Sequence, residues 1–187
     1  MRVGHAAICL INPQSNEVLY YDFGRYITPR GFGRARNKYT DPDLALHSKA
    51  VIDDQGDLQN VEEIAAELDS KSQSTHGYGP LVFSVSKTIN FIKAKSYADE
   101  MIQKGHFPYN GLYKSASNCA RYVTETMKAA NEDGTVGTKL KYSQKMACRP
   151  SSPPQPRCAR QGGSEQWGWA RRPRACCLGC LPQGGRA

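Results

Sequence analysis

Gly4-His5-Ala6-Ala7-Ile8-Cys9-Leu10-Ile11 is an apolar run that reads as the core of a strand spanning Val3–Ile11, and it carries a histidine at its start. Asn12-Pro13-Gln14-Ser15 follows with turn chemistry, Asn first and Pro second as in a type I turn. Glu17–Tyr26 (EVLYYDFGRY) is rich in β-formers and reads as the second strand. Far downstream, Ser117-Asn118-Cys119-Ala120-Arg121-Tyr122-Val123 reads as the opening of a helix from about Asn118 to Ala130, with Ser117 or Asn118 suited as its N-cap. A thiol at a helix N-terminus feels the positive end of the helix dipole, which favours thiolate. An imidazole held against it would supply the base, so His5 and Cys119 form a candidate nucleophile pair.

Between these ends the chain predicts an α+β domain over residues 1–145, with an antiparallel sheet and the cysteine on a late helix. Gly31–Asp43 is punctuated by Gly, Arg and Pro and reads as a surface loop. Leu44–Ile52 reads as a strand, followed by the turn Asp53-Asp54-Gln55-Gly56. Val61, Ile64, Ala65 and Leu68 fall at helical spacing, with Glu62, Glu63 and Glu67 outward, predicting a helix to about Asp69. Lys71–Gly79 reads as a flexible stretch and Leu81–Val85 as another strand. Lys87–Lys104 then reads as a helix closed by Gly105, with Ile89, Ile92, Met101 and Ile102 among its apolar positions. Phe107–Ser117 is an aromatic loop that delivers the chain to the cysteine helix.

The net charge of +8 divides unevenly. Ala147–Ala187 contains seven Arg and one Glu, so about +6 belongs to this tail and the body is nearly neutral. The tail also holds Cys148, Cys158, Cys176, Cys177 and Cys180, and it lacks Ile, Val, Phe, Tyr, Met, Lys and Asp. Such a composition buries too little surface to offset its ordering entropy. Residues 146–187 are therefore expected to stay outside the core, as a disordered basic tail or as non-native sequence of the kind a GC-rich frame yields out of register. Cys9 and Cys119 are the only cysteines of the body, which implies no disulfide framework there.

A cysteine nucleophile needs a base, an orienter for that base and donors for the developing oxyanion. Side chains alternate along a strand, so hairpin register decides which residue faces His5. A four-residue loop, Asn12–Ser15, pairs Ile11 with Asn16 and sets His5 opposite Asp22. A loop one residue longer sets His5 opposite Phe23 and diagonal to Tyr21. The turn chemistry favours the first, making Asp22 the orienter. The backbone N–H of Cys119 is the natural oxyanion donor. Asn118 adds a side-chain donor, and Tyr113 or Tyr109 can reach the site from the preceding loop, with Tyr21 as a further supporting residue.

Gly4-His5-Ala6 on a first strand, Asp22 on the next and Asn118-Cys119 opening a late helix resemble the circularly permuted papain-like proteins. That group includes the permuted NlpC-type cysteine peptidases and the lecithin retinol acyltransferase-like enzymes. Tyr21-Asp22-Phe23-Gly24-Arg25-Tyr26, Asp41-Pro42-Asp43-Leu44 and Ser117–Val123 are similar to a bacterial branch of it, and the resemblance spans roughly Val3 to Ala130. It implies Cys119 as nucleophile, His5 as base and Asp22 as the third polar residue. Acyltransferase relatives often carry a second histidine in the third position, so Asp22 favours hydrolysis of an amide or peptide bond. Acyl transfer through the same thioester is the alternative, and a non-catalytic binding module of the same fold is the alternative from another class.

Other chemistries are weaker. His47, His76 and His106 lack metal-ligand spacing with one another, and Cys177-Leu178-Gly179-Cys180 lacks a second well-spaced pair, so no metal and no cofactor are expected. Cys9 reads as buried packing. Gly31-Phe32-Gly33 with Arg34 and Arg36 lacks the full glycine pattern of a nucleotide loop. His76-Gly77-Tyr78-Gly79 reads as a plain turn rather than a cleft lining. The tail arginines predict at most non-specific nucleic-acid contact through phosphate charge. The expected partner is a peptide, amide or acyl substrate. No apolar run approaches the roughly 20 residues of a membrane span. Met1 runs almost directly into the first strand, leaving no room for an ordinary secretion signal, so the compartment is open and cytoplasmic by default.

Overall fold

The computed structural model describes residues 4–77, 81–111, 113, 115–131 and 180–182. Five antiparallel strands form one sheet in the order β4-β3-β2-β1-β5, where β1 is Gly4–Ile11, β2 Val18–Gly24, β3 Phe32–Arg36, β4 His106–Pro108 and β5 Cys180–Pro182. The helices are α1 (Val61–Ser70), the single turn α2 (Ser72–Thr75), α3 (Phe91–Gln103) and α4 (Cys119–Ala130). The expected α+β class with a late cysteine helix is what the chain adopts.

Both faces of the central hairpin are covered, which explains why β1 reads as a nearly continuous apolar run. Ile8 and Leu10 of β1, with Leu19, Tyr21 and Phe23 of β2, pack under Ala94, Ala98 and Met101 of α3 and Tyr122 and Ala130 of α4. The alternate residues Ala7, Cys9, Ile11, Val18 and Tyr20 face Leu44, Ala50 and the Ile64 and Leu68 stripe of α1. Cys9 is core packing, as its sequence context suggests. Helix α3 starts later than its apolar pattern indicates. Asn90 accepts from the Lys93 N–H at 3.1 Å as N-cap, so Ile89 is buried ahead of the helix and Ile92 faces solvent.

Three loop and strand expectations are corrected. The predicted loop Gly31–Asp43 contains β3, a central strand whose Arg34, Ala35 and Arg36 pair with Gly24, Phe23 and Asp22. Glycine and arginine lower β-propensity, yet a strand buried between neighbours can carry them when each charge meets a partner. Conversely, Leu44–Ile52 makes only isolated bridges, Glu17–Lys49 and Ile52–Leu58, and its apolar side chains fill the α1 face from a loop. Leu81–Val85 belongs to no named strand, and Val82, Phe83 and Val85 are exposed. The tail, apart from β5, lies outside the described residues. Strand β5 lies along the outer edge of β1, pairing Gly4 with Pro182 and Ala6 with Cys180. Edge pairing runs through backbone groups, which composition does not report. Among the described residues no helix is long and apolar enough to cross a membrane.

Tyr122 is fully buried beside Phe23, and its hydroxyl meets no hydrogen-bond partner among the described residues. Replacing it with phenylalanine removes an unsatisfied polar group without opening a cavity. Tyr122→Phe is expected to raise the unfolding free energy by about 1 kcal/mol, and urea denaturation of the two proteins checks the sign.

Candidate active site

Asp22 is the centre of the site. It sits in an apolar strand, has no exposure to solvent, and meets hydrogen-bond partners from three strands and the loop after β2. Arg36 on β3, its direct cross-strand neighbour, donates from Nε to Oδ1 at 3.0 Å and from Nη2 to Oδ2 at 2.7 Å. The Tyr20 hydroxyl donates at 3.0 Å and the Tyr26 hydroxyl at 3.2 Å. His5 Nε2 lies 3.0 Å from Oδ2. Burial alone would push the Asp22 carboxyl up, but His5 and Arg36 outweigh it and hold the group below the usual carboxylate range.

His5 is held at Nε2 by Asp22, with the Tyr26 oxygen 3.0 Å from the same nitrogen, which leaves Nδ1 for the sulfur. The imidazole and the Cys119 thiol are near enough for each to shift the titration of the other. Burial opposes charge on His5, yet Asp22 and Cys119 prevail and its pKa rises to about 9. Burial likewise pushes the Cys119 thiol up, but the bond to His5, the backbone N–H of Ala6 and the Tyr109 hydroxyl turn the net shift downward. That hydroxyl donates to Sγ at 3.7 Å. Each partner thus favours the charged form of the other, the electrostatic condition for a thiolate–imidazolium pair.

The N-terminus of α4 is built to present the sulfur. Asn118 accepts from the Arg121 N–H at 2.8 Å as N-cap. A cation in a first helical turn opposes the helix dipole, and the chain tolerates Arg121 there because its guanidinium holds three carbonyls of the preceding loop. Nη2 donates to Gly111 at 2.7 Å, and Nη1 donates to Tyr113 and Ala116, each at 2.5 Å.

The structure brings His5, Asp22 and Cys119 together, although by a register the sequence reading did not choose. Ala7 pairs with Asp22 and Ile11 with Val18, so the connection is Asn12–Glu17 and His5 falls opposite Gly24. The shift from the expected pairing is two residues, which preserves the face, and Asp22 reaches His5 diagonally. Tyr21 has the opposite parity. It lies in the α3/α4 core and donates to Asp99 Oδ1 at 3.0 Å, away from the reactive groups. Tyr113 is 67 % exposed and contributes only a carbonyl to Arg121, whereas Tyr109 is the loop tyrosine that reaches the sulfur. Asn118 spends its side-chain oxygen on the helix cap.

Four residues at the site escaped the sequence reading: Tyr20, Tyr26 and Arg36, together with the Ala6 N–H. An aspartate inside VLYYDFG was the available signal, because a carboxylate on a buried strand demands donors nearby. Tyr26 lies over the strand because Gly24 has no Cβ; one there would run into the Tyr26 ring. The ring is clamped between the Arg36 guanidinium, 3.3 Å from its centroid, and His76, stacked at 4.9 Å. His76 therefore lines a cleft after all. That cleft, of about 460 Å³, opens beside Tyr26 between Arg25, Arg36, Asp43 and His76. The arginines of the supposed phosphate loop are engaged internally, Arg34 with Asp41 in a bidentate pair and Arg36 with Asp22. No group of three or more metal-ligating side chains gathers among the described residues.

The fold and the site together define an α+β protein with a buried thiol beside an imidazole that is hydrogen-bonded to a buried carboxylate. Residues 1–136 match the family described as type VI secretion system effector TseH-like, and the chain belongs to that family. Comparison with curated proteins and with solved structures returned no match.

The two shifted groups make stability depend on pH in opposite senses. His5, raised to about 9, stabilises the fold fully below its ordinary 6.5 and loses that contribution as pH rises through about 9. Cys119, lowered from 9.0, contributes stability above that value and loses it as pH falls through its folded pKa. The two trends offset one another where they overlap below about pH 9. Cys119→Ser removes the second trend and the sulfur's share of the first, leaving His5 raised by Asp22, so the variant is expected to lose melting temperature as pH rises from about 6.5 more steeply than the parent. Thermal melts above about pH 6.5 test it.

Proposed function

We propose that this chain is a cysteine hydrolase of permuted papain-like architecture that cleaves an amide or peptide bond through an acyl-thioenzyme. The observation that carries the reading is the succession Cys119–His5–Asp22, in which the imidazole is hydrogen-bonded to the carboxylate and lies near enough to the thiol for each to favour the charged form of the other. Cys119 thiolate attacks the carbonyl carbon, and the carbonyl electron pair moves to oxygen. The Cys119 N–H, at the start of α4 where backbone donors lack helical partners, is the natural donor to that oxyanion. On collapse the C–N bond breaks, and the departing amine takes the proton of the His5 imidazolium. Water then adds to the thioester, giving its proton to His5, and the acid leaves as Cys119 thiolate is restored.

Asp22 orients His5 and stabilises its charged form without taking its proton, the role a carboxylate plays behind a histidine base. The cleft beside Tyr26 is lined by neither His5 nor Cys119, and Tyr26 links it to the imidazole, through a hydroxyl 3.0 Å from Nε2. Membership of a secretion-effector family fits a hydrolase that acts after delivery, in place of the cytoplasmic default. Substrate and partner on this reading are peptide or amide, with no cofactor required by the chemistry.

Iodoacetamide alkylation followed by peptide mass mapping tests the nucleophile. Cys119 is expected to react at pH 7 at least ~10-fold faster than Cys9, which is buried core packing. His5→Ala is expected to slow Cys119 alkylation at that pH by about 10-fold or more. Against a peptide library read by mass spectrometry, Cys119→Ala is expected to lower turnover by roughly 1,000-fold or more. An unreactive Cys119 in folded protein would leave the non-catalytic module as the better description, and an acyl product on an added amine or alcohol would indicate transfer.

A further inference from the structure

We propose that Arg36 is a positioning residue that charge-compensates Asp22, so that the aspartate holds the His5 imidazole without retaining its proton against a departing amine. The proposal rests on the hydrolase reading, since the proton it concerns is the one His5 must release.

Three geometric facts support it. First, Arg36 faces Asp22 directly across β2 and β3 and donates to both carboxylate oxygens, while His5 meets the same Oδ2 from the other side. The carboxylate is thus shared between one fixed cation and one titrating one. Second, Arg36 is itself 4 % exposed and fixed at further points: Nη2 donates to the Ser74 carbonyl at 3.1 Å, and the guanidinium lies flat on Tyr26. A cation so enclosed is not exchanged for a proton from solvent. Third, charges alternate outward from the thiol through His5, Asp22 and Arg36 to Asp41, which lies 3.8 Å from Arg36 Nη1 and is paired with Arg34. Each charge has neighbours of opposite sign.

The physical consequence follows from low-dielectric electrostatics. A buried carboxylate facing an imidazole alone strongly favours the imidazolium, which makes His5 a poor proton donor. Pairing the carboxylate with a guanidinium leaves its directional acceptor lone pair in place while weakening its field at His5. The Asp22–Arg36 unit still favours the imidazolium, but less than a lone carboxylate would. The other groups around His5 are Tyr20 and Tyr26 from β2 and the loop after it, His76 after α2, Tyr109 after β4, and Cys119 at the start of α4. The tyrosines are held neutral by burial and by the nearby anions, so among the described residues Arg36 is the one fixed cation in contact with the Asp22 carboxylate.

The test is the titration midpoint of His5, read by NMR of the full chain labelled with ¹⁵N in its imidazoles and assigned by the signal lost in His5→Gln. Wild type is compared with Asp22→Asn, with the double variant Asp22→Asn/Arg36→Met, and with Arg36→Lys. Asp22→Asn leaves the Arg36 cation uncompensated beside His5 and is expected to lower the midpoint by about one unit or more. The double variant removes both charges and keeps an acceptor for Nε2, so it is expected to recover at least half of that drop. Its Cys119 alkylation by iodoacetamide at pH 7 is expected to recover in parallel.

Arg36→Lys keeps the cation without the planar fork and is expected to hold the midpoint within about half a unit of wild type. Equal midpoints in Asp22→Asn and the double variant would overturn the proposal by showing that His5 does not feel the Arg36 charge. Should the double variant not fold, an Arg36→Lys midpoint displaced by more than one unit would overturn it, and one within half a unit supports it. Failure of the hydrolase reading has a separate signature, an unreactive Cys119 in wild type, which leaves the His5 midpoints readable.

Discussion

A carboxylate with no contact with water must be surrounded by donors, and the packing around Asp22 follows from that requirement. The donors come from β1, β2, the loop after it and β3, so satisfying one side chain ties together three strands and the Tyr26 loop. Strand β3 exists at the centre of the sheet, despite its glycine and two arginines, because Arg36 finds Asp22 and Arg34 finds Asp41 there. Gly24 is required for the same reason, since only a missing Cβ lets the Tyr26 ring fold back to reach the carboxylate. Removing either charge of the Asp22–Arg36 pair alone would strand the other, the costly case for buried ions, whereas removing both leaves no orphan.

The thiol end obeys a different constraint, that of a first helical turn whose backbone donors need partners if it is not to fray. Asn118 closes the backbone of that turn, and Arg121 fastens the loop ahead of it through three carbonyls. The thiol is therefore fixed from its own helix, while the imidazole is fixed from the sheet. Their meeting point is Ala6, whose N–H supports the sulfur one residue after the histidine. Strand β1 thus contributes both a side chain and a backbone donor to the same thiol. This explains why the start of a strand, rather than its middle, carries the histidine.

The parts of this arrangement legible in sequence are those governed by local chemistry. The capped α4, the α1 stripe of Ile64 and Leu68, and the strand character of β1 and β2 each follow from spacing and composition within a dozen residues. Asp22 was legible for a subtler reason. Register by turn chemistry was wrong by two residues, but a two-residue slip keeps every side chain on its own face, so the aspartate remained on the side of His5. Tyr21, one residue away, had no such protection. What stayed illegible is long-range compensation: Gly31–Asp43 looks like a loop until Arg36 is known to meet Asp22, and Leu44–Ile52 looks like a strand although it makes only isolated bridges.

The low exposure of the reactive pair, 2 % for His5 and 7 % for Cys119, bears on how an ion pair can persist there. Two opposite charges inside protein attract more strongly than in water, but each also forfeits its hydration. The balance favours the charged pair only when fixed dipoles and charges replace the lost water. Here the Ala6 N–H and the Tyr109 hydroxyl take that place for the sulfur, and Asp22 takes it for the imidazole. None of these groups has to reorganise as charge moves between Cys119 and His5, because each is held by contacts outside the pair: Ala6 by the sheet, Tyr109 by its stacking on Phe23, and Asp22 by Arg36. Preorganisation of this kind is what distinguishes an activated thiol from a merely buried one. Cys9, enclosed at 1 % exposure and paired across the strands with Tyr20, is the internal contrast: the same group packed as part of the α1-face core.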